Sequence, residues 1–538
     1  MRLKSVPYAD GIKKGTQVKF GGLNRSIGAS DGELADMRNL TGDHFPVLSP
    51  RSKRSLLDIP GNVTALYSRE KLCWVSDNGF YYDNELKGML SPGEKEIASL
   101  GDFIVIMPDK AYFNAYKDEF GSMETMWSGD SIRFENGTIF GVSASANTIR
   151  VEGVDWDGFF KAGDAVSIEG ASTRSENNKT VIIREIDGDR LHFSEWAFKL
   201  AGNNGTTAYT ETGELSIKRT VPDLKYMCEN ENRLWGCDGK EIYASSPGDI
   251  FNFNVFDGTD MDSYAVDVGS PGIFTGCTSF LGFPMFFKEN VIYQVYGTLP
   301  SNFQVMSSST QGVKAGCNRS LAISNEILFY LSDTGVVAYH GGTPHPIGLA
   351  FATERFADAA AGSDGLKYFI SMREQGSPAW KLYVYDALRN MWHIEDDTQA
   401  THFTRFEGKL YYLNSSGEVW CVRDDEGATE SDIEWSAEFA DIVDNDPNRK
   451  GLVKLQVRLM LEPDAEVTIY MKYDSDTKWQ KVFNRKTMVK RSCYIPIIPR
   501  RADHYRIKFE GVGHCEIHSL VRERYIGSEL TNEGGNNE

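Results

Sequence analysis

Asn232–Gly297 reads NRLWGCDGKEIYASSPGDIFNFNVFDGTDMDSYAVDVGSPGIFTGCTSFLGFPMFFKENVIYQVYG, and this stretch decides the fold. A short apolar strand over Arg233–Gly236 meets a polar turn at Asp238-Gly239, and a second strand follows over Glu241–Ala244. The unit returns at Pro284–Phe287 and Val291–Tyr296. Gly, Asp and Asn crowd the turns, where they supply the positive φ values that a tight hairpin needs. Two hairpin strands cannot bury a core alone. Repeated units must therefore stack or close around an axis, which also hides most strand edges.

The pattern recurs outward in both directions. Upstream, Val63 to Tyr116 holds two such units, one turning at Asp77-Asn78-Gly79 and one at Asp109-Lys110. Downstream, units follow at Leu321–Gly342, Leu366–Asp397 and His402–Asp425. About seven units spaced roughly 30 to 50 residues apart match the blades of a β-propeller. In KLYVYDALRNMWHIE, Trp392 is expected to open the next strand and to pack between sheets.

Two regions break the spacing. Residues 121–222 contain at least four further strands with a hairpin turn at IDGDR, and read as an inserted small β-barrel or sandwich. Residues 429–528 alternate apolar and polar positions strand after strand, as in Lys454-Leu455-Gln456-Val457-Arg458-Leu459, and read as a C-terminal β-sandwich. The expected order is an irregular arm (1–60), first blades (61–120), the insert (121–222), remaining blades (223–428), the sandwich (429–528) and a flexible tail (529–538). The arm's apolar residues, Phe20, Leu23, Ile27, Leu34, Met37 and Leu40, are too widely spaced for a core of their own, so the arm is expected to lie on the main domain or on a neighbour. The fold class is all-β.

Bulk properties narrow the function. The 538 residues exceed what one core usually serves. A net charge of −19 argues against a protein that grips nucleic acid through phosphate contacts, which need clustered Lys and Arg. Eight scattered cysteines, without a CxxC pair, point to reduced thiols rather than zinc or a disulfide framework. No stretch has the apolar length of a signal peptide or membrane helix, and a soluble protein folded in the cytoplasm is expected.

No nucleotide-binding or catalytic motif stands out. His340 and His345 flank a Gly-Gly pair but lack a third ligand. Asp257, Asp260 and Asp262 in FDGTDMDSYAVD resemble a fragment of a calcium loop, although acidic turn residues between strands are the preferred reading. Two basic clusters, LSPRSKR (Leu48–Arg54) and IPRRADHYR (Ile498–Arg506), read as a solvated face or as ion-pair partners of an acidic surface.

Three runs carry a resemblance: FGGLNRSIGASDGELADMRNLTGDHFPVLSPR at the N-terminus, IYASSPGDIFNFNVF followed by YAVDVG, and FPMFFKENVIYQVYG. Together they resemble the tail hub or nozzle proteins of short-tailed bacteriophages and related prophages. Lys288-Glu289-Asn290-Val291-Ile292-Tyr293 matches that pattern more closely than Ser246–Phe253 does. The resemblance implies a structural virion protein, synthesised in the host cytoplasm and resident in the tail. It would form a homo-oligomeric ring, usually sixfold, against portal, adaptor or other tail proteins, with genomic DNA passing through and the insert free to meet the host surface. It carries over no catalytic residue, cofactor or metal, so a chain without enzymatic activity is expected. The alternative is a propeller that binds or cleaves glycans, an adhesin or depolymerase at the tail tip, which requires exposed aromatics and paired acids.

Overall fold

A computed structural model describes residues 12–139, 144–200, 207–424, 426–444, 449–474 and 476–525. The expected tail over 529–538 lies outside them. Among the described residues the architecture is all-β, with seven four-stranded antiparallel sheets in a seven-bladed propeller arrangement and two larger sheets. By its internal contacts the chain divides into two compact units, Val63–Asn318 and Met1–Asn62 with Arg319–Glu538.

The first unit holds four blades. Blade 1 is Val63–Ser68, Leu72–Ser76, Gly79–Tyr82 and Glu85–Met89, and blade 2 is Glu96–Leu100, Phe103–Met107, Ala111–Asn114 and Glu119–Ser122. Blade 3 is Tyr226–Asn230, Arg233–Cys237, Glu241–Ala244 and Tyr264–Asp267, and blade 4 is Gly276–Phe280, Phe283–Lys288, Val291–Tyr296 and Gln304–Ser308. Each sheet follows chain order, as hairpins demand. Arg233–Cys237 is buried at every position, because a strand covered on both faces has no solvent side with which to alternate. The cores are shared between consecutive blades. Val75, Phe80, Ile104 and Phe113 join blades 1 and 2, and Trp235, Ile242, Phe286 and Tyr293 join blades 3 and 4. No blade would hold this apolar surface out of water alone.

Turn chemistry partly follows expectation. Asp77 and Asn78 adopt φ of 50° and 63° in the blade 1 turn. In blade 3, however, the left-handed pair is Glu231-Asn232, with φ of 47° and 58°, between the first two strands. Asp238-Gly239 is held differently: Asp238 Oδ1 accepts from the backbone N–H groups of Lys240 and Glu241, each at 2.8 Å. That turn needs a side-chain cap rather than positive φ.

The insert is a seven-stranded sheet ordered Thr180–Ile182, Ala165–Glu169, Ala208–Arg219, Thr125–Ile139, Ala144–Arg150, Arg190–Ser194, Glu185–Asp187. Its two edge strands are separated in sequence by only Ile183 and Arg184, so the sheet must curl to bring its ends together. Trp156, Phe134, Phe160 and Phe193 fill the interior. The long connection of blade 3 anchors it. Asn252 donates from Nδ2 to Asp164 Oδ1 at 3.0 Å and accepts the Ala165 N–H at 3.0 Å, while Arg219 Nη1 donates to Asp164 Oδ2 at 2.6 Å. Phe251 lies under the Arg219 guanidinium, 4.8 Å away, and packs edge-on to Tyr112 of blade 2.

The second unit holds blades 5 to 7. Blade 5 is Ala322–Ser324, Ile327–Ser332, Gly335–Tyr339 and His345–Pro346, and blade 6 is Phe356–Ser363, Lys367–Glu374, Trp380–Asp386 and Met391–Ile394. Trp392 thus sits at the start of the strand that follows Asp386, as expected, and that strand is the last of its blade. Its Nε1–H donates to the Ile347 carbonyl at 2.8 Å, and its ring meets Phe351 at 4.8 Å. Blade 7 takes Ala400–Phe406, Lys409–Asn414 and Val419–Cys421 from its own neighbourhood and its outermost strand, Ser55–Leu56, from the arm.

The same arm feeds the C-terminal domain, an eight-stranded sheet built on one 24-residue strand, Lys450–Tyr473. Cys515–Tyr525 pairs with the first half of that strand and Tyr505–Val512 with the second half, while Gln480–Ile495 runs along the opposite edge. Glu434–Phe439 follows Tyr505–Val512, and the arm strands Lys13–Gln17 and Leu34–Arg38 finish the two ends. Phe20, Leu23, Leu34, Met37 and Leu40 are buried, whereas Ile27 is fully exposed.

Candidate functional site

Cross-strand partners in a ladder point to the same face of a sheet. In the C-terminal domain one row runs Arg38, Ser436, Glu510, Thr468, Asn484, and the next runs Glu434, Val512, Glu466, Lys486. The odd-numbered neighbours, Ala437, Phe509, Val467 and Ile469, are buried, so these even-numbered rows face solvent. Arg38, Glu434, Glu466 and Glu510 line a recess of about 420 Å³ floored by Trp435 and Gly511. A Cβ on Gly511 would stand 2.4 Å from the Trp435 ring, so only glycine lets the indole cross beneath the strand. The Trp435 Nε1–H donates to the Gly513 carbonyl at 3.0 Å and fixes the ring.

The three glutamates differ in their partners. Lys508 reaches Glu510 at 2.5 Å. Asn484 Nδ2 donates to Glu466 Oε1 at 2.7 Å and Lys486 lies 3.1 Å from Glu466, and these contacts hold the Glu466 carboxyl below the usual range, Asn484 contributing most. The Glu434 carboxylate makes no ion pair or side-chain hydrogen bond among the described residues. Glu434 and Glu510 are diagonal neighbours across one ladder, a relation that puts Cα atoms about 7–8 Å apart. Glycoside hydrolysis uses two carboxyls that face one site.

A second cluster lies on the same domain. One ligand atom each from Asp474, Asp503 and His504 falls within 4.8 Å of the others. The Asp503 N–H donates to Asp474 Oδ1 at 2.9 Å, and His504 Nδ1 lies 2.8 Å from Asp503 Oδ1. Burial, then the neighbouring Asp503, pushes the Asp474 carboxyl up. Two carboxylates this close share a proton or hold a cation, and with an imidazole they make a three-ligand set for a divalent metal.

The residues singled out from sequence fare otherwise. Asp257, Asp260 and Asp262 do not converge on one cation position. Asp262 accepts from the N–H groups of Asp257, Gly258 and Thr259, which outweigh burial and hold its carboxyl low, and Asp257 pairs with Arg184 at 2.6 Å. They form an acidic turn. His340 and His345 stand with ring centroids 6.3 Å apart, and no third ligand joins them among the described residues. LSPRSKR supplies a buried ion-pair network: Arg54 reaches Glu395 and Asp396 at 2.5 and 2.7 Å, and Arg51 grips Glu430 with two bonds of 2.8 and 2.7 Å. In IPRRADHYR, Arg500 pairs with Asp476, and Arg506 with Glu438 and Asp441. All eight cysteines are free thiols. The glutamate recess was not singled out from sequence. Period-two alternation marks its members as outward-facing, but nothing local says which strands become neighbours.

No protein-family model matches the chain, and no curated protein matches it. Solved structures do resemble it. An exo-β-1,3-galactanase from Phanerochaete chrysosporium aligns over 54% of this chain and 92% of its own at 8% identity and TM-score 0.21. The propeller domain of the Trilobed protease from Pyrococcus furiosus covers 62% and 98% at 12% identity and TM-score 0.23. The endosialidase of phage phi92 covers 90% and 71% at 10% identity and TM-score 0.24. Likeness at this level describes fold and assigns no activity to this chain. The expectation of a chain without enzymatic activity is corrected by the Asp474–Asp503–His504 set, which offers a metal position. The labels of virion, tail, nozzle and hub structural protein are withdrawn as well, since no family model and no curated protein backs them.

Proposed function

We propose that this chain is a β-propeller protein that binds and cleaves glycans, with the recess on its C-terminal sheet as the cleavage site. The observation that carries this reading is the grouping of Glu434, Glu466 and Glu510 around one solvent-open recess with Arg38 beside them. Glycoside hydrolysis needs one carboxyl to give a proton to the glycosidic oxygen and a second, ionised, to act at the anomeric carbon or on a water. Glu434, at the edge of the recess, takes the place of the proton donor. Glu510, paired with Lys508 at 2.5 Å, is the base that takes a proton from water as that water's oxygen bonds the anomeric carbon. The bond to the leaving sugar breaks, and the leaving oxygen keeps the proton from Glu434. Arg38 is placed to donate hydrogen bonds to sugar hydroxyls.

The test is to incubate the full chain with neutral and acidic polysaccharides and to follow new reducing ends, with the anomer formed read by proton NMR. Release of reducing ends with one anomer in excess is expected. No release from any member of a broad panel, with the protein folded, overturns the reading.

A further inference from the structure

Resting on that reading, we infer that the polymer recognised is an acidic polysaccharide, held by a cationic shelf beside the glutamate recess. In a chain of net charge −19, the stretch from Thr477 to Ala502 has no acidic residue and eight basic ones. It contains the strand Gln480–Ile495, which pairs only with Lys450–Tyr473 among the described strands and leaves its other edge open. Lysine on an exposed edge also discourages aggregation. That role alone does not place lysines on the glutamate face. Lys486 shares a row with Glu466, and Lys481 shares a row with Tyr470 and Lys508, two rows along and past Thr468 and Asn484.

Trp479 organises the shelf. Lys472 Nζ lies 4.7 Å from its ring centroid and Lys508 Nζ 5.9 Å, so the indole presents ammonium groups rather than a bare stacking face. Lys472, Lys478 and Lys481 make no ion pair among the described residues, so they keep charge available for a ligand. Acidic recess and basic shelf therefore adjoin on one face. A polymer with evenly dense negative charge would be drawn to the shelf and repelled by the glutamates. Duplex DNA, with one charge per roughly 1.7 Å of axis, is such a polymer, and it also meets the acidity of the whole molecule. A polysaccharide charged on only some of its sugars can lay a carboxylate or sulfate on the shelf and a neutral glycosidic bond in the recess.

The experiment is to measure Kd of the full chain for hyaluronate, which carries a carboxylate on every second sugar, neutral galactan and sheared duplex DNA at two salt concentrations, with K472Q/K481Q and, as a control on a blade turn, K117Q. Hyaluronate is expected to bind at least tenfold tighter than galactan or DNA, to weaken with salt, and to lose about tenfold in K472Q/K481Q but not in K117Q. Equal binding of galactan, tighter binding of DNA, or no effect of K472Q/K481Q overturns the inference. Binding does not require turnover. Retention of hyaluronate without cleavage would sink the hydrolytic reading and leave the shelf, whereas cleavage of neutral glycans without acidic preference would do the reverse.

Discussion

The arm and the insert join the molecule in opposite ways. The insert owns its interior: Trp127 meets Trp156 at 5.3 Å, and Phe134 stacks on Tyr209 at 5.2 Å within one curled sheet. It meets the blades of its unit through a small set of directed bonds around Asn252 and Asp164. The arm has no interior. It places one strand on blade 7 and one at each end of the C-terminal sheet, and sends Arg51 and Arg54 into a buried network. A segment with its own core is removable, while a segment that completes other cores is not.

That contrast is most sharply broken by deletion. Removing residues through Leu56 should abolish cooperative unfolding of the unit that holds blades 5 to 7, seen by calorimetry and limited proteolysis. Joining residue 124 to residue 220 should leave a cooperative melt, because Thr125 and Arg219 are paired neighbours. An intact melt without the arm would refute the comparison. Next in size is Arg54→Met, which strands Glu395 and Asp396 in a buried setting. A loss of about 3–5 kcal/mol is expected in urea unfolding, as for other buried charges that lose a partner. Asn252→Ala should cost less, about 1–3 kcal/mol, by leaving buried groups unsatisfied, with faster hydrogen exchange at the Ala165 amide.

The smallest effect is on pH. Burial raises Asp396, but Arg54, Thr398 and Arg51 outweigh it, and Glu430 is likewise held low by Arg51 and Arg54 against burial. Carboxyls lowered by folding stabilise above their ordinary values of 3.8 and 4.5 and lose that contribution as pH falls through the lowered ones. His393 adds an earlier decline. Burial, then Lys367, pushes it down to about 4, so from its ordinary 6.5 downward the unfolded chain takes up a proton that the folded chain refuses. Melting temperature should fall gently below pH 6.5 and more steeply below 4.5. His393→Gln should lessen the first part only, because burial also holds His402 well below 6.5.

The blades and the curled insert were legible because hairpins write themselves locally: an apolar run, a turn, an apolar run. The origin of Ser55–Leu56 in blade 7 was not, since a two-residue strand has no periodicity and its partner Val419–Cys421 lies hundreds of positions away. The middle of Asn232–Gly297, from Pro247 to Gly272, is longer than a blade turn requires. Its partner proved to be the insert of the same chain, through Asn252, Phe251 and Asp257. The glutamate recess was illegible for the same reason as the arm. Glu434, Glu466 and Glu510 come from three strands whose order depends on a bent 24-residue strand pairing with different partners along its two halves.

The central claim is that Glu434 and Glu510 act together on a glycosidic bond, and it is tested most directly by reducing-end release from wild type, Glu434→Gln and Glu510→Gln under identical conditions. Both positions face solvent on formed strands, so each variant should melt within about a degree of wild type, while release falls by roughly 10²–10⁴-fold, the scale of a lost general acid or base. Undiminished release in both variants would contradict the account.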